Sequence, residues 1–189
     1  MARSRPQSRP DVPWSKRREL PDGQIVGAAD QYEEACRLLF QPRRSGVVLP
    51  FMNTAAISIE LYLKSLSAER IYTADTDMPE ISVVSAYAEK TGHLLKSLFD
   101  AISEDIRVKL TAAFDSELRP KLQKDFVTVL ETIEGVFMKS RYPFEPEAAI
   151  ANYRPADLAD MATFLRSFVK SLPVVRLIEN NHGTAGATR

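Results

Sequence analysis

The sequence predicts an all-α protein, an up-and-down bundle of about five to six helices with a small β-hairpin or ordered loop near 70–86. Apolar residues recur at helical spacing along most of the chain. The segment near 70–86 instead holds two β-prone runs around a turn-forming stretch. The chain of 189 residues is 44% hydrophobic and 26% charged, which is typical of one globular domain.

The first two predicted helices lie in the N-terminal half. Asp22 is a typical N-cap residue, and the apolar positions that follow it predict a helix to about Phe40. A Gln-Pro-Arg-Arg-Ser-Gly run over 41–46 ends that helix. A second helix is expected over about 46–68, with Pro50 in its first turn or at a kink.

The next segment is not predicted to be helical. Two β-prone runs, 70–74 and 81–87, flank the Asp-Thr-Asp-Met-Pro run over 75–79. This arrangement predicts a short antiparallel hairpin or an ordered loop.

Four further helices are expected after the hairpin. One opens near Thr91, and the next begins at the cap residue Ser103 and stops before Pro120. A long amphipathic helix is predicted over 121–139 and a last helix over 155–172.

Both ends of the chain are predicted to lack fixed structure. Residues 1–20 form a basic tail rich in Pro, Arg and Ser, a composition typical of disorder. Residues 176–189 are predicted to be a flexible C-terminal tail. The segment 21–175 between them is predicted to be a single helical domain.

Composition excludes several function classes. The formal net charge is zero, so no overall field attracts the chain to nucleic acid or to an anionic membrane. No stretch approaches the roughly 18 apolar residues of a membrane span. The only cysteine, Cys36, cannot form an internal disulfide. We therefore expect a cytoplasmic protein without a membrane partner.

Familiar catalytic and metal-binding motifs are absent from the sequence. It holds no P-loop, GxGxxG, HExxH or GxSxG motif. With one Cys and two His, a Cys/His zinc site is excluded. A di-iron site in a bundle needs paired Glu-x-x-His motifs, and only Glu179–His182 matches. We expect no metal and no cofactor.

A polar stripe runs along the second predicted helix. Asn53, Glu60 and Lys64 fall near one meridian, beside apolar positions spaced as a buried face. Glu60 and Lys64 are an i, i+4 pair. They form either a surface salt bridge or part of a partly buried polar network between helices.

Three blocks of the chain resemble HEPN-type helical domains. The block NTAAISIELYLKSL at 53–66 is similar to their second-helix signature. The block GHLLKSLF at 92–99 is similar to the start of the next helix in one bacterial HEPN-like group, and RYPFE at 141–145 resembles the RYPYE element of that group. The blocks occur in the same order as in the group, over about 45–145.

The resemblance implies an up-and-down α-bundle that is commonly a homodimer. Together with the helix phase, it predicts that five polar residues converge between the helices: Glu60, Lys64, His93, Arg141 and Glu145. The leading interpretation is a HEPN-like domain that binds a partner protein, a nucleotide or RNA without catalysis. The resemblance places such a domain in a bacterial stress or defence module.

Two alternatives stay open. Catalytic HEPN proteins carry an Arg shortly before a His near a dimer interface and cleave RNA without metal. Arg176 and His182, separated by five residues, have this spacing, so the resemblance implies a metal-independent endoribonuclease as one alternative. The other is a purely structural dimerisation bundle.

Overall fold

The computed structural model describes residues 14–40, 45–74, 82–88, 92–144 and 153–181. Its helices are α1 Gly23–Leu39, α2 Val48–Ser65, α3 Leu95–Asp100, α4 Glu104–Glu117, α5 Arg119–Leu122, α6 Phe126–Ile133, α7 Val136–Arg141 and α8 Pro155–Ser171. Its strands are β1 Trp14–Leu20, β2 Ala68–Ala74, β3 Ser82–Ala88 and β4 Val175–Asn181. This mostly helical architecture confirms the predicted all-α class. None of the described helices is both long and apolar enough to cross a membrane.

Helix α2 is the centre of the bundle and packs against α1, α7 and α8. Its inward positions follow the helical repeat and are almost completely buried: Phe51, Met52, Ala55, Ile59, Tyr62, Leu63 and Leu66. Burying a side chain of this size contributes about 1.5–3 kcal/mol. Helix α2 is therefore a rigid base for any polar group that it carries.

Aromatic rings join the smaller helices to α8. Phe126 of α6 makes edge-to-face contacts with Phe99 and Phe114, with ring centroids 5.0 and 5.2 Å apart. Phe164 of α8 contacts Phe114 in the same way at 5.6 Å. Edge-to-face pairs at these distances stabilise a core beyond simple area burial.

The predicted cap of the first helix is confirmed. Asp22 Oδ1 accepts hydrogen bonds from the backbone N–H groups of Gln24 and Ile25, which satisfies two free donors of the first turn. Arg70 of β2 donates to both carboxylate oxygens of Asp22 at 2.7 Å. Asp22 therefore ties the sheet to the start of the bundle.

The long helix predicted over 121–139 is wrong. The helix is interrupted between α6 and α7, where Gly135 adopts φ +83°. That left-handed conformation is easy for glycine but cannot continue a helix. A second break at Gln123, with φ +55°, separates the single turn of α5 from α6. These breaks raise the helix count above the predicted five to six, since the described residues contain eight α-helices.

The β element is larger than predicted. The hairpin expected near 70–86 is present, because β2 and β3 pair antiparallel from Ala68↔Ala88 to Ala74↔Ser82. It belongs, however, to a four-stranded antiparallel sheet with strand order β3-β2-β1-β4.

The two added strands correct the predicted tails. β1 covers 14–20 and β4 covers 175–181, parts of the segments expected to lack structure. They pair with each other, from Leu20↔Val175 to Trp14↔Asn181. The charged residues of these strands stabilise the sheet through cross-strand ion pairs, Arg18 with Glu69 and Arg176 with Glu19. The rest of both predicted tails lies outside the described residues.

Candidate functional site

Glu60 organises a polar cluster on α2. Its side chain is only 9% exposed, and its Oε1 lies 2.5 Å from Lys64 Nζ. Its Oε2 lies 2.7 Å from Nδ1 of His93. Of the two arrangements considered for Glu60 and Lys64, the structure therefore shows the partly buried network. Both carboxylate oxygens of Glu60 have a partner and are shielded from water.

His93 sits between Glu60 and an aromatic ring. It follows Gly92, whose φ of +118° is accessible to glycine and turns the chain towards α3. The imidazole packs on Phe137 of α7 with ring centroids 4.8 Å apart. Its side chain is 52% exposed, and within the described residues its Nε2 makes no hydrogen bond. One ring nitrogen is therefore fixed and the other is free to meet a ligand.

Arg141 continues this stack outwards at the end of α7. Its guanidinium carbon lies 5.3 Å from the Phe137 ring centroid and 5.6 Å from that of Tyr142. Tyr142 in turn meets Phe144 edge-on at 6.3 Å, and Phe144 is 81% exposed. We call these five residues (His93, Phe137, Arg141, Tyr142 and Phe144) the aromatic–cation surface.

Asn53, the third member of the polar stripe, fixes α7 in place. Its amide donates to Ser140 Oγ at 3.3 Å and to the Phe137 carbonyl oxygen at 3.4 Å. Asn53 positions Phe137, and Glu60 positions His93, so one stripe on a rigid helix aligns both rings of the stack.

The structure brings together four of the five residues predicted to converge. Glu60, Lys64 and His93 are in direct contact. Arg141 joins them through the Phe137 ring, which contacts both His93 and Arg141. Glu145 lies outside the described residues.

Arg176, the first residue of the ribonuclease alternative, lies away from this cluster. Arg176 is on β4, and its Nε lies 3.2 Å from Glu19 Oε2. His182 lies outside the described residues. The chain from Arg176 to Asn181 is extended, so these five steps span about 16 Å at the usual strand rise. The described part of this motif, from Arg176 to Asn181, therefore lies on a strand and not on a helix.

A second polar cluster, not predicted from the sequence, joins α1, α2 and α8. Asp30 of α1 accepts a hydrogen bond of 2.7 Å from the Tyr62 hydroxyl and lies 2.8 Å from Lys170 Nζ and 3.2 Å from Arg166 Nε. Burial alone would raise the pKa of Asp30, but the bonds from Lys170, Tyr62 and Arg166 outweigh burial and lower it. Burial, followed by the bond to Asp30, raises the pKa of Tyr62.

Glu33, one turn further along α1, extends this second cluster. It is 1% exposed, and its Oε2 lies 3.4 Å from Arg37 Nε and 3.6 Å from Arg166 Nε. Helix periodicity could have indicated that Asp30 and Glu33 face the bundle, since both lie on the side of α1 that buries Ala29 and Cys36. The ion pairs hold three helices together, so the cluster is architectural.

A hollow of about 440 Å³ lies beside α1, α8 and the end of α4. Both apolar and polar side chains line it, among them Cys36, Phe40, Leu118, Phe164, Arg37, Glu117, Asp160 and Thr163. Burial, and then the charge of Glu33, raises the pKa of the Cys36 thiol to about 12. Cys36 is therefore a protonated packing residue and not a nucleophile.

A protein metal site needs several His, Cys, Asp or Glu side chains placed around one ion. Across the part of the chain that the structure describes, no group of three or more His, Cys, Asp or Glu side chains could hold a metal ion. Glu60 and His93 form a pair of potential ligands, but Lys64 occupies the other Glu60 oxygen.

Comparison with known proteins gives no match: no family model fits the chain, and searches of curated proteins and of solved structures find no similar protein.

Proposed function

We propose that this chain is a HEPN-like helical domain that binds a phosphorylated nucleoside without cleaving it. The ligand is a free nucleotide or a nucleotide of single-stranded RNA, which share a flat base and a phosphate. The observation that carries the proposal is the Arg141 guanidinium held against the Phe137 and Tyr142 rings, beside His93 and Phe144. Single-stranded nucleic acids are bound by this combination, bases stacking on rings and phosphates meeting cations.

Exposure supports a base-stacking role. Phe144 is 81% exposed and Tyr142 36%, far more than core packing would leave. Water-exposed aromatic side chains in adjacent positions provide the platform that a splayed base needs. Arg141 lies over the Phe137 and Tyr142 rings, and a guanidinium held in this way keeps its donors available to a phosphate.

Charge supports phosphate binding at the same place. Lys64 and His93 contact the two carboxylate oxygens of Glu60, and Arg141 contacts the same Phe137 ring as His93. Lys64 offsets the negative charge of Glu60, so the Arg141 guanidinium is the cation that this surface offers to a phosphate, although the whole chain is neutral.

Fluorescence anisotropy with a labelled short oligoadenylate and a labelled adenosine nucleotide tests the proposal and separates its two ligand sources. We expect Phe144→Ala to weaken binding by roughly 5- to 100-fold, since stacking contributes about 1–3 kcal/mol per base. Arg141→Gln should weaken binding and lower its salt dependence because a phosphate contact is lost. Arg119→Gln, at an exposed arginine of α5, is the matched control.

The outcomes are distinct. Tight binding of the oligonucleotide alone identifies RNA, and equal binding of both probes identifies a nucleotide. Failure of the folded wild-type chain to bind either probe, or equal losses in Arg119→Gln and Arg141→Gln, would refute the proposal. Thermal unfolding of each variant excludes loss of fold.

One observation favours cleavage as a second candidate function. His93 has the arrangement of a general base, because a carboxylate holds one ring nitrogen and the other is open. Incubating RNA with the protein in EDTA tests it. Cleavage that is lost in His93→Gln but kept in His182→Ala would assign the reaction to the Glu60–His93 pair. The reverse result would assign it to Arg176 and His182.

A further inference from the structure

Strand β4 lies at one edge of the sheet, next to β1. Its outer side has no partner strand among the described residues. An open edge presents unpaired backbone N–H and C=O groups and readily accepts another strand.

The side chains of β4 are unusually apolar for an exposed edge. Val175, Leu177 and Ile178 are 50%, 52% and 61% exposed. Leu177 and Ile178 are neighbours in sequence and point to opposite faces of the sheet. The described helices therefore leave both faces of β4 exposed. A strand with aliphatic residues on both faces has the composition of an internal strand of a sheet.

We propose that β4 pairs antiparallel with β4 of a second copy of this chain about a two-fold axis. The pairing joins the two four-stranded sheets into one continuous sheet. An antiparallel edge is self-complementary, since its rows of donors and acceptors match their own copy after rotation. This interface is separate from the aromatic–cation surface and does not depend on the proposed function.

The charges of β4 restrict the register of this pair. In an antiparallel pair about a two-fold axis, one residue of the strand faces its own copy. A register centred on Arg176 or on Glu179 places like charges directly opposite each other, which is destabilising. Registers centred on Leu177 or Ile178 avoid this and place an aliphatic side chain against its own copy. Registers centred on Val175, Asn180 or Asn181 also avoid like charges but pair at most three residues of each β4, whereas those centred on Leu177 and Ile178 pair five and seven.

β4 lacks the features that prevent an edge strand from pairing with a strand of another molecule. β4 contains one Arg, one Glu and no Lys or Pro, so two copies do not repel through net charge. Pro173 precedes the strand and leaves its hydrogen-bonding groups intact.

Cysteine cross-linking tests the register directly. In a Cys36→Ala background, single variants Leu177→Cys, Ile178→Cys, Arg176→Cys and Glu179→Cys are oxidised and analysed on non-reducing gels. We expect a covalent dimer from Leu177→Cys or from Ile178→Cys. Arg176→Cys and Glu179→Cys should stay monomeric, because their copies lie beyond the roughly 7 Å Cα separation that a disulfide allows.

Two further variants complete the test. Light scattering should give about twice the chain mass of 21.2 kDa for the wild type. It should give the single mass for Ile178→Lys, because this lysine faces either its own copy or Arg176 in the two registers. Val108→Lys, at an equally exposed aliphatic residue of α4, should remain dimeric.

Three results would overturn the inference. One is a wild type that is monomeric at every concentration. Another is a dimer that persists in Ile178→Lys without cross-links at 177 or 178, which would place the contact on a helix face. The third is cross-linking through Ser85→Cys, which would place the contact on β3, the opposite edge of the sheet.

Discussion

The Tyr62 hydroxyl donates a hydrogen bond of 2.7 Å to Asp30 Oδ1, across the interface between the two longest N-terminal helices. The phenol is otherwise surrounded by core, with no exposed surface. Lys170 and Arg166 of α8 approach the same carboxylate. One ionised aspartate thus links α1, α2 and α8, and the packing of these helices depends on its charge.

This linkage predicts that acid weakens the fold through Asp30. Its pKa is lowered in the folded chain, so the unfolded chain binds more protons as the pH falls past about 4. The stability contributed by Asp30 is present above that pH and is lost as the pH falls through the folded pKa. We expect Asp30→Asn to be less stable than the wild type at pH 7 and the difference to shrink at pH 3.

Urea denaturation at both pH values measures this difference. Asp115→Asn, in the exposed pair with Arg119, is the control and should change stability by less than about 1 kcal/mol at either pH. A difference between Asp30→Asn and wild type that stays constant with pH would contradict the prediction.

The break between α6 and α7 predicts opposite effects for two glycine substitutions. Gly135→Ala should destabilise the fold by about 1–2 kcal/mol, because alanine disfavours the φ of +83° found there. Space is not the cause, since the nearest atom to an added Cβ is 3.7 Å away. Gly27→Ala, inside α1 with no atom within 4 Å of an added Cβ, should stabilise it by about 0.5–1 kcal/mol.

Chemical denaturation of both variants provides the comparison. Because Gly135 sets the start of α7, Gly135→Ala should also weaken ligand binding at the aromatic–cation surface, and Gly27→Ala should not. Equal effects on stability would mean that residue 135 does not need the left-handed conformation.

The buried thiol predicts slow alkylation. The pKa of Cys36 is raised to about 12, and its side chain is 1% exposed, so few molecules present a thiolate at pH 8. We expect iodoacetamide to modify Cys36 at least about 100-fold more slowly in the folded than in the urea-unfolded chain. Ser116→Cys in a Cys36→Ala background, at an exposed position of α4, should react at nearly the same rate in both states.

Local patterns were enough to predict most helices and half of the sheet. The Asp22 cap and the apolar repeat of α2 act within a few residues, so both are visible in the sequence and both are present. The break at Gly135 was missed because a single glycine inside an apolar repeat does not reveal its φ. β1 and β4 were missed because they pair with each other across more than 150 residues, and β1 pairs with β2 across more than 50.

The polar stripe was predictable for a different reason. Helix phase places Asn53, Glu60 and Lys64 on one side, and their partners were found on α7 and beside α3. Phe137 was not predicted as part of the site, since an aromatic residue in an amphipathic pattern is indistinguishable from core. The cluster around Asp30 was missed because acids on α1 can equally face water.

The placement of β1 between β2 and β4 has a consequence for how the chain assembles during synthesis. β1 leaves the ribosome well before either neighbour, and its partner β4 follows only after all eight helices. Because loop closure over such a distance is slow, the helices can dock while β1 still has one unpaired side. A nascent chain arrested before residue 175 therefore carries an open strand, a template for aggregation that chaperones must shield.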